Sequence, residues 1–144
     1  MDFIDAFRSL KKGLDAAMTQ MYASEKLGVT QVRFLRHLGQ HPGISQAELA
    51  RATDTDPALT GRTLQPLMER GLVRREPSPA DRRGYVLELG DAGRETLERV
   101  ESLRERVLTQ FVAPLDGRDL KDFDRIAKKL LAALEAYSNP PASS

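Results

Sequence analysis

Arginines at two places in this chain are spaced to grip a polyanion. Arg62 and Gln65 lie three apart within DPALTGRTLQPLMERG, residues 56–71. A guanidinium pairs bidentately with a guanine edge or with a phosphate, and an amide pairs with an adenine edge. Arg74, Arg75, Arg82 and Arg83 then fall within ten residues of one another. Guanidinium groups at that density, in a segment with no apolar purpose, suit a ligand with regularly spaced negative charge. Ser45 and Gln46 open a third segment. The free N–H groups of a helix start there can hold a phosphate, while the Ser45 hydroxyl equally serves as an ordinary cap.

Arg62 and Gln65 share a face only if 56–71 is a helix. Asp56 can accept from the free amides of a first turn, Pro57 suits the first helical position, and Gly71 suits a left-handed end. Thr60, Leu64, Leu67 and Met68 then form the inward stripe, with Ala58, Gly61, Arg62 and Gln65 outside. The outer face is small near its start, so the rod can sink into a major groove. In that reading Ala58 and Gly61 permit close approach, Arg62 contacts a base or phosphate, and Gln65 and Thr63 either read bases or line a wet groove. The competing role for Arg62 is a surface ion pair with Asp56 or Glu69. Pro66 removes one backbone bond and is expected to kink the helix.

Ahead of this rod, Ser45-Gln46-Ala47-Glu48 has the spacing of a capping box, with Ile44 and Leu49 at the staple positions. A short helix there, the turn Thr53-Asp54-Thr55 and the rod make a helix-turn-helix unit. After Gly71 the period becomes that of strands: 72–76 and 85–89, joined by Pro77-Ser78-Pro79-Ala80-Asp81-Arg82-Arg83-Gly84. Arg83, with Arg82 beside it, sits at the tip of this hairpin. Asp81 is expected to orient an arginine through a charge-assisted bond rather than touch a polyanion. Arg74 and Arg75 alternate faces, so at most one of them, Arg75, joins the contact set. A charged edge hairpin that merely blocks aggregation is the alternative.

Long helices flank this lobe. Over residues 2–24 the apolar stripe is Phe3, Phe7, Leu10, Leu14, Met18 and Met21, interrupted by Gly13. A second helix is expected from a Thr30 cap to His41, with Val32, Leu35 and Leu38 inward and Phe34 flanking. A fifth opens at Gly90-Asp91-Ala92-Gly93, its stripe running through Leu97, Val100, Leu103 or Arg104, Val107, Leu108 and Phe111. A sixth begins near Asp119, and 139–144 reads as a disordered tail. The terminal stripes have little to pack on locally, which points to a second subunit.

The 144 residues are expected to form one domain over 1–138, with a lobe at 30–92 between helical arms at 1–28 and 93–138. There is no cysteine, so disulfides and thiolate metal sites are excluded. The start of the chain lacks a signal-like apolar run and no segment approaches a membrane span, so a cytoplasmic protein is expected. The net charge of +1 decides nothing; the placement of the charges does. His37 and His41 have a spacing that can hold a metal, but no cysteine or obvious carboxylate assists, so no metal and no cofactor is expected. No nucleophile elbow, phosphate loop or paired catalytic carboxylates are found, so no enzyme is expected.

In order and spacing the segments resemble the MarR-type winged helix-turn-helix transcription regulators. The resemblance runs from the first helix to Tyr137 and rests on ISQAELA, the Asp56–Arg62 run, LMERGLV and DRRGYVLELGDAG. Asp81 and Arg83 fill the Asp-x-Arg positions of the family's wing, and Leu89 and Gly93 match its later ones. Gly90 stands where the family has threonine, which removes a hydroxyl cap and should loosen the start of the fifth helix. The resemblance implies a mainly α fold with a small β-hairpin wing, a winged lobe plus a helical dimerisation region. It implies a homodimer that places two recognition helices in successive major grooves of a pseudo-palindrome, about 34 Å apart. It also implies a ligand-responsive repressor, with an effector held between dimer helices and lobe, where Met18, Tyr22, Phe34, His37 and Leu38 are the candidates. A winged helix that binds an acidic protein instead of double-stranded DNA is the competing function.

Overall fold

The computed structural model describes residues 1–142. Its elements run α1 (Phe3–Ala23), α2 (Val29–Gln40), α3 (Gln46–Ala52), α4 (Pro57–Glu69), β1 (Val73–Pro77), β2 (Tyr85–Leu89), α5 (Asp91–Val112) and α6 (Gly117–Ser138). This is the mainly α architecture with one hairpin that the periodicities predict. Residues 140–142 carry no regular structure, and the rest of the expected tail, 143–144, lies outside the described residues.

Local chemistry sets most boundaries. Asp2 caps α1 by accepting from the Asp5 amide at 2.8 Å. The start of α2 differs from expectation: Gly28, not Thr30, is the cap residue, and the Gln31 side chain reaches back to accept from the Gly28 amide at 2.9 Å. Ser45 accepts from the Glu48 amide at 3.1 Å, so half of the expected capping box forms. At the far end of α4, Gly71 (φ +71°) donates to the Met68 carbonyl at 3.0 Å and Leu72 to that of Leu67 at 2.9 Å. That pair of bonds is a Schellman closure, which needs the left-handed backbone that glycine adopts freely.

The chain divides into two units, the first being Met1–Val107 and the second beginning at Leu108. In the first unit one core joins Met21 and Tyr22 of α1 to Phe34, Leu35 and Leu38 of α2, Leu49 of α3 and Leu64 and Leu67 of α4. Leu27, Val32 of α2, Leu72, then Val73, Leu87 and Leu89 of the hairpin and Val100 of α5 complete it. The unit therefore extends beyond 30–92 on both sides. Phe34 was expected at the flank, yet it is fully buried. α2 touches α1, α3, α4 and β2, so no flank of it is left open to solvent at that point. Each such apolar side chain contributes about 1.5–3 kcal/mol relative to exposure.

β1 and β2 pair antiparallel, with Val73 opposite Leu89 and Arg75 opposite Leu87. Ile44, ahead of α3, adds a bridge to β2: the Leu87 amide donates to the Ile44 carbonyl at 2.7 Å and the Gly43 amide to that of Leu87 at 3.0 Å. The hairpin is thereby stitched to the start of α3.

Gly90, where the sequence reading expects a looser start to the fifth helix, is tied to the turn after α4. Its amide donates to the Leu72 carbonyl at 3.0 Å, and a Cβ there would stand 2.5 Å from the Gly71 carbonyl oxygen. Arg94 also ties back to the Leu89 carbonyl at 2.9 Å. Glycine at this position is a condition of close packing.

In the second unit Asp116 and Asp119 cap α6 reciprocally, at 2.8 and 3.1 Å, so the helix starts at Gly117 rather than near Asp119. None of its residues is buried; Leu120, Phe123, Ile126, Leu130, Leu134 and Tyr137 are all exposed. On α1 the expected stripe is likewise open from Phe3 to Leu10 and closes only at Met21 and Tyr22.

Candidate nucleic-acid interface

α4 is held rigidly at both ends. The Asp56 carboxylate accepts from the Ala58 and Leu59 amides at 3.0 and 3.1 Å, and Pro57 occupies the first helical position. Thr60, Leu64 and Leu67 are fully buried, and Thr60 turns its hydroxyl to the Asp56 carbonyl at 2.9 Å. The helix continues through Pro66 to Glu69. Because proline lacks an N–H, the Arg62 carbonyl loses its helical donor.

Ala58, Arg62 and Gln65 are exposed on the outer side of α4, while Gly61 and Thr63 are half-buried along its flanks. The proposed pairing of Arg62 with Asp56 or Glu69 does not form. Asp56 is engaged in capping, the Gln65 amide donates to Glu69 at 3.2 Å, and Arg62 meets no carboxylate among the described residues. Gln65 is thereby turned along the helix.

Three elements meet at Gln46. Its side-chain carbonyl accepts from Arg75 Nη2 at 3.4 Å, and its amide nitrogen stands 3.4 Å from where a Cβ on Gly61 would be. Gly61 leaves room for this amide against α4, which adds to the close-approach role read from the sequence. Arg75 thus lies toward α3 and α4. Arg74 points the other way, to Glu76 at 3.0 Å and Glu88 at 3.5 Å. Such exposed pairs contribute about 1 kcal/mol at most. Ser45, half-buried at the cap of α3, is occupied by the Glu48 amide.

The tip of the hairpin is built by two short side chains. Ser78 Oγ accepts from the Ala80 and Asp81 amides at 3.3 and 3.2 Å. Asp81 accepts from the backbone amide of Arg83 at 3.0 Å, whereas a bond to an arginine side chain was expected. The short aspartate reaches the amide two residues on, an Asx turn, and so fixes the chain that carries Arg83 instead of its guanidinium. Arg82 and Arg83 are exposed and meet no carboxylate among the described residues.

The effector candidates separate. Phe34 and Leu38 are core. Met18 and Tyr22 line an open groove of about 590 Å³ with Lys11, Asp15, Val29, Val32, Arg33, Arg36 and Arg104. Arg104 donates to the Tyr22 hydroxyl and lies 4.0 Å from Glu101, which also pairs with Arg36 at 2.7 Å. The signal for Arg104 was the position on α5 where either it or Leu103 fits the stripe; Leu103 packs on the core and Arg104 turns into the groove. His37 lies outside that lining, its ring 4.5 Å from that of His41. Burial, and secondarily the charge of His41, hold His37 below its ordinary value. No group of three metal-ligating side chains occurs among the described residues.

The model of the MarR family matches residues 15–84. An HTH-type transcriptional repressor of Mycobacterium tuberculosis is 33% identical over 110 residues, 75% of this chain and 79% of that protein. A regulatory protein for the hcr operon of Thauera aromatica is 33% identical over 96 residues, 67% of this chain but 58% of the relative's own length. Among solved structures, MepR of Staphylococcus aureus, a regulator of a multidrug efflux pump, superposes with a TM-score of 0.82 at 18% identity, covering 93% of this chain and 99% of that one. A variant of MarR from E. coli, solved with operator DNA, gives a TM-score of 0.73 at 20% identity, covering 88% and 91%. These likenesses carry the fold, and the sequence relatives carry the kinship. With its capped α3–α4 pair, its β1–β2 wing and these relatives, the chain belongs to the MarR family of transcriptional regulators.

Proposed function

We propose that this protein represses transcription as a homodimer, by binding a pseudo-palindromic site in double-stranded DNA and leaving it when a small molecule binds. The observation that carries the reading is Arg62: exposed on the outer face of a helix fixed at both ends, and free of every carboxylate among the described residues. An unpaired guanidinium on a rigid helix keeps its full capacity for a base edge or phosphate. Arg82 and Arg83 on the hairpin support it in the same way, and a variant of MarR from E. coli has been solved with operator DNA.

The homodimer is supported by apolar surface. Phe3, Ile4, Phe7 and Leu10 are exposed on α1, Leu108 and Phe111 on α5, and the whole stripe of α6 is open. On each of these helices, taken by itself, an exposed apolar stripe of this kind marks an association surface. Ligand control is supported by the groove beside Tyr22 and Arg104. Its arginines and lysine suit an effector that joins an apolar body to an anionic group.

Selection of duplexes from a random pool tests the reading, followed by titration of the selected site. Arg62→Ala should lose about 1–3 kcal/mol and relax preference at one base position. Arg83→Ala should weaken binding to most sequences and flatten the salt slope by about one unit. Failure of the wild type to enrich any duplex would overturn the function. Unchanged affinity in both variants would overturn the assigned contact face. A monomeric mass at micromolar concentration would remove the dimer.

A further inference from the structure

We propose that Leu59 reads thymine, by pressing its side chain on the C5-methyl group of a thymine in the major groove beside the base that Arg62 faces. The inference rests on the DNA-binding reading and adds a specificity-determining residue to it. Leu59 is the third residue of α4 and is 42% exposed, although the inward stripe of that helix is filled by Thr60, Leu64 and Leu67, all at 0%. The core therefore has no use for this leucine, and arginine, lysine or glutamine would support the helix about equally.

Its surroundings suit a base contact. Pro57, Ala58 and Leu59 make the first turn apolar and exposed, ahead of Arg62. In a helix-turn-helix the N-terminal residues of the second helix are the ones that meet base edges. Side chains on a helix lean toward its N-terminus, so Leu59 covers the surface over that leading turn. The Asp56 carboxylate accepts from the Leu59 amide at 3.1 Å, so the backbone beneath the side chain is fixed before binding.

The major groove displays one apolar feature, the thymine methyl. Leu59 and Arg62 are three residues apart, hence neighbours on one face, about 4.5 Å apart along the axis. Base pairs are stacked about 3.4 Å apart. The thymine that Leu59 meets should therefore lie one or two base pairs from the base contacted by Arg62.

Deoxyuridine removes only that methyl and leaves every groove hydrogen bond in place. Each thymine of a selected site is replaced singly by deoxyuridine, and affinities are measured for the wild type and Leu59→Ala, each checked for an unchanged melting temperature and mass. At one position the wild type should bind the thymine duplex about fourfold more tightly than the deoxyuridine duplex, the worth of one buried methyl-sized group. Leu59→Ala should bind the two equally. Full discrimination retained by Leu59→Ala, or none in the wild type, overturns the proposal while DNA binding stands. A change in oligomeric mass in Leu59→Ala assigns the side chain to a protein contact and also overturns it. A wild type that enriches no duplex removes both the proposal and the reading beneath it.

Discussion

Arg70, the cap residue at the end of α4, donates from Nη1 to the carbonyl of Lys26 at 2.9 Å. Its Nη2 takes the neighbouring carbonyl of Glu25 at 3.1 Å. Lys26 is held at φ +56°, so the turn between α1 and α2 presents both carbonyls to one guanidinium. The Glu25 carboxylate meanwhile accepts from Arg99 of α5 at 3.0 Å. One turn thereby joins α4 to α1 and to the part of α5 that lies in the first unit.

Arg70→Ala should lower stability by about 1–2 kcal/mol, since two bonds to a charged donor are lost at an exposed site. Arg70→Lys should restore little of this, because an ammonium on a flexible stem lacks the planar fork that meets two carbonyls together. Urea denaturation of the three proteins measures the difference.

A second arginine is positioned by an amide. If Gln46 acts through Arg75, the effects of Gln46→Ala and Arg75→Ala on affinity for a selected duplex should not add. A double-mutant cycle should return a coupling of about 0.5–1 kcal/mol. A sum of independent losses would give Gln46 a contact of its own.

Elements whose chemistry is local were legible from the chain. Asp56-Pro57 and Gly71 mark the ends of α4, Ser45 caps α3, and alternation in 85–89 places β2. Thr30 misled because any hydroxyl before an apolar run resembles a cap, while the Gln31 side chain closing on Gly28 leaves no such mark. Phe34 misled because a one-sided stripe assumes one packed face, and α2 is packed on several. The groove at Tyr22 and Arg104 joins residues 82 apart in sequence, and no spacing rule reaches that far. Of the candidate interface, the exposed arginines were visible as composition. That Arg62 stays unpaired, that Arg75 leans on Gln46 and that Asp81 holds backbone depend on packing between elements.

The histidine pair predicts a response to acid. Burial first, and the charge of His41 second, keep His37 below its ordinary value of 6.5. The unfolded chain therefore takes up this proton more readily than the folded one. Stability should be unaffected by His37 above 6.5, and should fall as pH drops through 6.5 toward the lower folded value. His37→Gln should flatten that part of the profile. Urea midpoints of wild type and variant, taken on both sides of 6.5, check it; parallel profiles would refute the assignment.

The same substitution should act in opposite directions at two glycines. A Cβ on Gly93 would stand 2.0 Å from the Leu72 carbonyl oxygen and 2.9 Å from its carbon. Both are backbone atoms, and that oxygen already accepts from Gly90, so neither side of the contact can give way without loosening the junction of α4, β1 and α5. Gly93→Ala should destabilise by about 3 kcal/mol, the upper end for overpacking. Gly13 lies exposed inside α1, where an added Cβ meets nothing within 4 Å. There the gain in helix propensity acts alone, and Gly13→Ala should stabilise by about 0.5–1 kcal/mol. Thermal melting of the two variants beside the wild type should move in opposite senses. A neutral Gly93→Ala would mean that the start of α5 does not depend on close approach to the end of α4.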